Sequence, residues 1–141
     1  MTTAFHYTFP VPFHLADPAG IVFFANAFTL FHQAFEQFIV KELDYPWENW
    51  FQNPEWIVPV RHAEAQYVYP LYAGRDCQIE LTLASLSSSS FTLLANIRQK
   101  ELCSTLKVVH VFCNRSTQKK MPIPQPISSK LKFFTLSVLH V

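Results

Sequence analysis

Between residues 23 and 43, apolar side chains fall at Phe24, Ala27, Phe28, Phe31, Ala34, Phe35, Phe38 and Ile39, three or four positions apart. At about 100° per residue they gather on one side of a helical wheel, with Asn26, Thr29, Gln33, Glu36, Gln37 and Lys41 on the other. The spacing predicts a long amphipathic helix whose apolar side needs a large covering surface. Elsewhere the period shortens to two. Residues 5–13 alternate apolar and other residues and carry Pro10 and Pro12, which suits an edge strand. Residues 57–72 read as a long strand ended by Ala73-Gly74-Arg75-Asp76, residues 77–86 as a strand with Ile79, Leu81 and Leu83 on one face, and Ser87 to Ser90 as a turn. Residues 91–100 and 102–114 then pair as long antiparallel strands joined near Gln99 to Leu102.

Residues 44–55, with Tyr45, Pro46, Trp47, Trp50, Phe51 and Pro54, fit neither period, and this connector is expected to line a pocket or cover an interface. From Met121 the prolines at 122, 124 and 126 remove backbone donors, so the tail begins extended; strand and helix both stay open for its last dozen residues. The order is strand, long helix, then four strands in a meander, without internal repeats. Helix and strands that are segregated in this way define an α+β domain: a strongly bent antiparallel sheet wrapped around one central helix, spanning residues 1–141 as a single domain.

The chain has 141 residues, half of them hydrophobic and 14 of them Phe, enough for one sizeable core. No apolar run approaches the roughly 18 residues of a membrane span, and the N-terminus shows no secretion signal, so a soluble cytoplasmic protein is expected. Cys77, Cys103 and Cys113 are odd in number and widely spaced, which points to core thiols rather than disulfides or zinc. The six histidines show no metal-binding spacing, and a net charge of +1 offers no general attraction to nucleic acid. So much apolar residue on a short chain favours a homo-oligomer.

Candidate chemistry concentrates in Asp17-Pro18-Ala19-Gly20-Ile21-Val22-Phe23-Phe24-Ala25-Asn26, where one carboxylate sits in a tight turn ahead of the helix. A helix start carries unpartnered N–H groups and partial positive charge, so a developing anion can be held there. An Asp at this place also serves as an ordinary turn or N-cap residue. The apolar residues that follow favour a carboxylate facing a half-dry site. Glu64 lies mid-strand among small and apolar residues and shares a face with His62; a solvated face or a dimer contact is the alternative.

This layout resembles the hotdog-fold acyl-CoA thioesterases of the 4-hydroxybenzoyl-CoA thioesterase type. Three ordered segments carry the likeness: DPAGIVFFAN before the helix, Ala63-Glu64-Ala65-Gln66-Tyr67 with Pro70 and Gly74-Arg75-Asp76, and His110-Val111-Phe112-Cys113 through Met121-Pro122-Ile123-Pro124. Phe31-His32-Gln33-Ala34-Phe35-Glu36 and Pro122-Ile123-Pro124-Gln125-Pro126 are similar to segments of the cyanobacterial 1,4-dihydroxy-2-naphthoyl-CoA hydrolases, with Gln33 where that group has Glu.

The resemblance implies thioester hydrolysis without a cofactor or metal, by a homotetramer built as a dimer of dimers, in the phylloquinone pathway. It assigns Asp17 the role of nucleophile or general base, and the backbone N–H of Phe24 that of oxyanion donor, with Gly20 allowing close approach of substrate. His32 is a substrate-pocket candidate for a hydroxyl of an aromatic acyl group, or else a satisfied structural histidine. Glu64 is a further substrate-site candidate. Among cations near the last two strands, Arg115 and Lys119 are candidates for the CoA phosphates. Benzoyl-like or fatty acyl groups are the alternative substrates, and a non-catalytic acyl-binding module is the alternative class.

Overall fold

The one-sided helix predicted from residue spacing is present, and the sheet closes over it. The computed structural model describes residues 3–135. In chain order the elements are β1 (Phe5–Pro10), α1 (Asn26–Lys41), α2 (Trp47–Phe51), β2 (Trp56–Ile57), β3 (Val60–Tyr67), β4 (Asp76–Leu86), β5 (Ser90–Arg98), β6 (Leu102–Val111), β7 (Cys113–Asn114) and α3 (Gln125–Leu131). Ala27, Leu30, Phe31, Ala34, Phe35, Phe38 and Ile39 of α1 are buried, against Ile79, Leu81, Leu83, Leu93, Ala95, Ile97, Leu106 and Val108 of the sheet. The helix begins at Asn26 rather than Phe23, leaving Phe24 62% exposed.

The main sheet is antiparallel with order β1-β4-β5-β6-β3. The four strands therefore do not form a meander. β3 pairs with β6, placing Glu64 opposite Lys107, and the chain then crosses to the other side of β5 to begin β4. Alternating residues specify that a segment is a strand, whereas its neighbour is chosen by register and packing, which the period does not encode. Irregularities at Val60/His62, Leu83/Ser85 and Ile97/Arg98 interrupt the ladders. Such bulges bend strands and increase twist, which lets the sheet curve around α1.

The strand expected over 57–72 is divided. Pro59 has no N–H to give to a ladder; residues 56–57 pair instead with β7, and beyond Tyr67 the N–H groups of Val68 and Tyr69 both donate to the Cys103 carbonyl. The irregular connector contains the short helix α2, and Trp50 and Trp56 pack edge to face with each other and around Phe112. The tail runs extended to Pro124 and then forms α3, whose Lys130 donates to Asp44 Oδ2 at 2.8 Å and to the Leu43 carbonyl at 3.3 Å, beyond the negative end of α1. Its final residues, 136–141, lie outside the described residues. Cys77 and Cys103 are buried thiols and Cys113 is half-buried.

Phe38, fully buried, meets Phe5 and Phe134 with ring centroids 5.5 and 4.9 Å away. Truncating such a ring removes apolar burial and leaves a cavity. Phe38→Ala is expected to lower unfolding free energy by about 3–5 kcal/mol, read from urea denaturation; a loss below about 1 kcal/mol would show that this side of α1 is not the core.

Candidate active site

Residues 15–23 form a small hairpin that carries the carboxylate. Asp17 N–H donates to the Ile21 carbonyl at 2.8 Å, Ala16 bridges Val22, and Phe23 N–H donates to the Leu15 carbonyl at 3.1 Å. The Asp17 side chain sets the turn: its Oδ1 accepts from Ala19 N–H at 2.9 Å and from Ile21 N–H at 3.2 Å. Both bonds fall on one oxygen, so Oδ2 has no partner among the described residues. Gly20 has φ +79°, which only glycine adopts cheaply, and the space beside its Cα is open. The hairpin is anchored in turn to residues 71–73 through Val22 N–H to the Leu71 carbonyl and Ala73 N–H to the Gly20 carbonyl.

Asp17 is thus a turn residue and not the helix cap; the N-cap position is Ala25, which has no side-chain cap. The consequence is an open helix start. The Phe23 carbonyl accepts from Asn26 N–H at 2.8 Å, and because N–H and C=O point oppositely across a trans peptide, Phe24 N–H is aimed away from the helix body. Among the described residues, neither Phe24 N–H nor Ala25 N–H has a partner. Tyr67 O–H donates to the Phe24 carbonyl at 2.8 Å and fixes the next peptide as well. Asn26 Nδ2 ties the same turn to the Leu15 carbonyl at 3.0 Å. The donor assigned to Phe24 is therefore free and held in direction.

A cavity of about 260 Å³ opens beside this turn, walled by Ile21, Phe24, Tyr67, Tyr69, Leu71 and Ser104 among others. Further along α1 lies a second, about 280 Å³, bounded by Phe28, Phe31, His32, Phe35, Phe51, Val58, Val60, Ala63, Val108 and His110. Phe51 of the connector does line a pocket, as expected of that segment. His32 stands half in solvent at this cavity and pairs with Glu36 Oε2 at 3.2 Å, one helical turn on.

His110 was not singled out by sequence reasoning, because an isolated histidine in an apolar strand pattern gives no signal of its own. It is 2% exposed, lies between the rings of Phe35 and Phe91 with centroids 4.6 and 4.8 Å away, and has Nδ1 without a partner among the described residues. Burial, with a smaller contribution from His32, pushes its pKa down to about 3, so the ring is neutral near pH 7.

Glu64 is exposed on β3, with His62 Nε2 on its own strand at 3.6 Å and Lys107 Nζ on β6 at 3.8 Å. Arg115 donates through its guanidinium to the carbonyls of Asn53 and Phe51, and its N–H donates to Glu55, clamping the connector. Lys119 is exposed in the turn after β7. In the single chain Asp17 itself is exposed, in contrast to the half-dry setting expected of it. Burial pushes the Cys77 thiol up to about 12, with Asp76 adding to the effect, and also raises Cys103; both stay protonated and are poor nucleophiles.

A central helix gripped by a bent antiparallel sheet is the architecture of hotdog-fold thioesterases. The chain belongs to the thioesterase-like superfamily, whose family model matches residues 11–131. It is similar to a 1,4-dihydroxy-2-naphthoyl-CoA hydrolase of Microcystis aeruginosa, 29% identical over 84% of this chain and 86% of the relative. Another of the same name, from Prochlorococcus marinus, is 30% identical over 84% and 83%. Among solved structures, a 1,4-dihydroxy-2-naphthoyl-CoA thioesterase from Synechocystis superposes with TM-score 0.85 at 25% identity, covering 92% of this chain and 96% of that one. The protein is accordingly a thioester hydrolase.

The buried neutral His110 has a consequence for acid stability. The unfolded imidazole titrates near 6.5 and the folded one near 3, so the unfolded chain binds the extra proton between these values. Stability from this group is full above pH 6.5 and is lost as pH falls toward 3. Urea midpoints measured from pH 7 to pH 4 should fall more steeply for wild type than for His110→Phe; parallel slopes would contradict the assignment.

Proposed function

We propose that this chain hydrolyses an aromatic acyl-CoA, foremost 1,4-dihydroxy-2-naphthoyl-CoA, to the free acid and coenzyme A, a step toward phylloquinone. The observation that carries the reading is the unpartnered, directed N–H of Phe24 on the same short hairpin-to-helix segment as Asp17. A thioester carbonyl oxygen accepts from Phe24 N–H, and the negative charge that builds on it is stabilised by that donor and the helix start. Asp17 then attacks the carbonyl carbon to give the CoA thiolate and a mixed anhydride, which water cleaves to the free acid and the restored carboxylate, or it takes a proton from water that attacks the carbonyl and expels the thiolate. The names of the curated relatives support the naphthoyl group.

The site is completed by a second copy in this reading. β3 is an edge strand with almost every residue exposed, including Val60 at 54% and Tyr67 at 48%, an arrangement that leaves backbone donors and acceptors ready for pairing. Antiparallel pairing of two β3 edges adds a wall beside Tyr67 and Phe24 and shields Asp17 from solvent. Lys119 and the guanidinium N–H groups of Arg115 left over from its clamp remain candidates for the CoA phosphates.

Asp17→Asn retains an Oδ1 acceptor for Ala19 and Ile21, so the turn survives while the carboxylate is lost. Turnover of 1,4-dihydroxy-2-naphthoyl-CoA, followed by thiol release, is expected to drop by about 10³-fold or more with an unchanged urea midpoint. A variant within a factor of three of wild type would remove Asp17 from the chemistry. Light scattering is expected to give a dimer or a tetramer; a monomer that hydrolyses thioester at full rate would contradict the shared site.

A further inference from the structure

The cavity beside the second and third turns of α1 is lined by His110, whose Nε2, unlike its sealed Nδ1, is open to a probe and has no hydrogen bond among the described residues. His110 Nδ1 is buried without a hydrogen bond among the described residues, in a strand whose nearest inward residues, Leu106 and Val108, are apolar. A buried imidazole without a partner costs free energy that a Phe or Leu in the same place would avoid. The rings of Phe35 and Phe91 stack on it, at 27° and 8°, which restrains its plane. An oriented, uncharged and unsatisfied polar group in an aromatic-walled cavity is what a site for one polar substituent on a flat apolar group requires.

We infer that His110 determines specificity by hydrogen bonding the ring hydroxyl of the acyl group that lies farthest from the thioester. The inference rests on the acyl-CoA reading above and adds to it a residue and a substituent. Three observations converge on it. The cavity of about 280 Å³ is nearly twice the roughly 150 Å³ that accommodates benzene in an apolar protein interior, room for a fused pair of rings. Phe28 and His32 of its wall lie four and eight residues past Phe24, about 6 and 12 Å along a helix, and in the proposed pose the ring runs along α1 from the Phe24 amide toward this space. The walls offer stacking surfaces, and among their residues only His32 and His110 carry side-chain polar groups. His32 is engaged by Glu36 at the mouth, which leaves His110 for the far end of the ring. A hydroxyl next to the carbonyl can bond internally to the carbonyl oxygen. The distal one needs a protein partner.

The test compares wild type, His110→Phe and His110→Gln on 1,4-dihydroxy-2-naphthoyl-CoA and on 1-hydroxy-2-naphthoyl-CoA, which lacks only the distal hydroxyl, under anaerobic conditions. Phe preserves the stacked shape and Gln preserves a hydrogen-bonding group. Wild type is expected to favour the dihydroxy thioester by about tenfold or more in kcat/KM. His110→Phe should reduce that ratio to within about threefold by losing rate on the dihydroxy substrate alone, and His110→Gln should recover part of it. An equal ratio in wild type and His110→Phe would overturn the inference while leaving thioester hydrolysis standing. Failure of wild type to turn over either thioester would instead sink the substrate reading.

A second arm is independent of turnover: calorimetric titration of the free acids 1,4-dihydroxy-2-naphthoate and 1-hydroxy-2-naphthoate into the same three proteins. Preference for the dihydroxy acid that disappears in His110→Phe supports the inference. A preference that persists overturns it, as does the absence of any aromatic acid binding because a second copy of the chain fills the cavity. Urea midpoints of both variants confirm that folded protein is compared.

Discussion

Covering one apolar side of α1 is the constraint from which the rest follows. Phe31, Phe35, Phe38 and Ile39 cannot be hidden by a flat sheet of this size, so β4, β5 and β6 bend around the helix, aided by breaks in the ladder near residues 60, 84 and 98. Bending in turn fixes where the helix can begin. The chain enters α1 from a hairpin bonded to residues 71–73, on the far side of the loop that follows β3. The open N–H of Phe24 is a product of that route: the turn before α1 spends its carbonyls on Asn26, Ala27 and Phe28 and leaves two amides facing outward.

Charge plays a small part in the site. Asp17 is the carboxylate on the hairpin, His110 is held neutral by burial, and the cavity wall is mostly ring and aliphatic surface. A developing oxyanion would meet backbone dipoles rather than a cationic side chain, and such donors need no rearrangement when charge appears. Tyr67 and Asn26 contribute by fixing peptide planes, Tyr67 through the Phe24 carbonyl and Asn26 through that of Leu15.

Much of this was legible from residue spacing. The period of 3.6 in residues 24–39 located α1 and its buried side, and the alternation of Ile79, Leu81 and Leu83 located β4. The pairings of β4 with β5 and of β5 with β6 were legible, whereas the neighbour of β3 was not. β3 carries small and polar residues whose partner is chosen by the register of Glu64 against Lys107 and by the crossover after Tyr67, neither of which leaves a periodic trace. At the site, Asp17 and Gly20 were visible because a turn needs their chemistry and their φ, respectively. Arg115 read as a free cation because the backbone carbonyls it holds come from residues sixty positions earlier in the chain. His110 was invisible because its meaning lies in the rings of Phe35 and Phe91, brought to it from two other elements.

The central claim places a thioester carbonyl between Asp17 and the free amide of Phe24. The most direct measurement is a crystal structure of Asp17→Asn soaked with 1,4-dihydroxy-2-naphthoyl-CoA. The account predicts the carbonyl oxygen within hydrogen-bond distance of Phe24 N–H, with its carbon facing the side chain at position 17. A thioester bound with its carbonyl elsewhere, and the Phe24 amide still unpartnered, would contradict it.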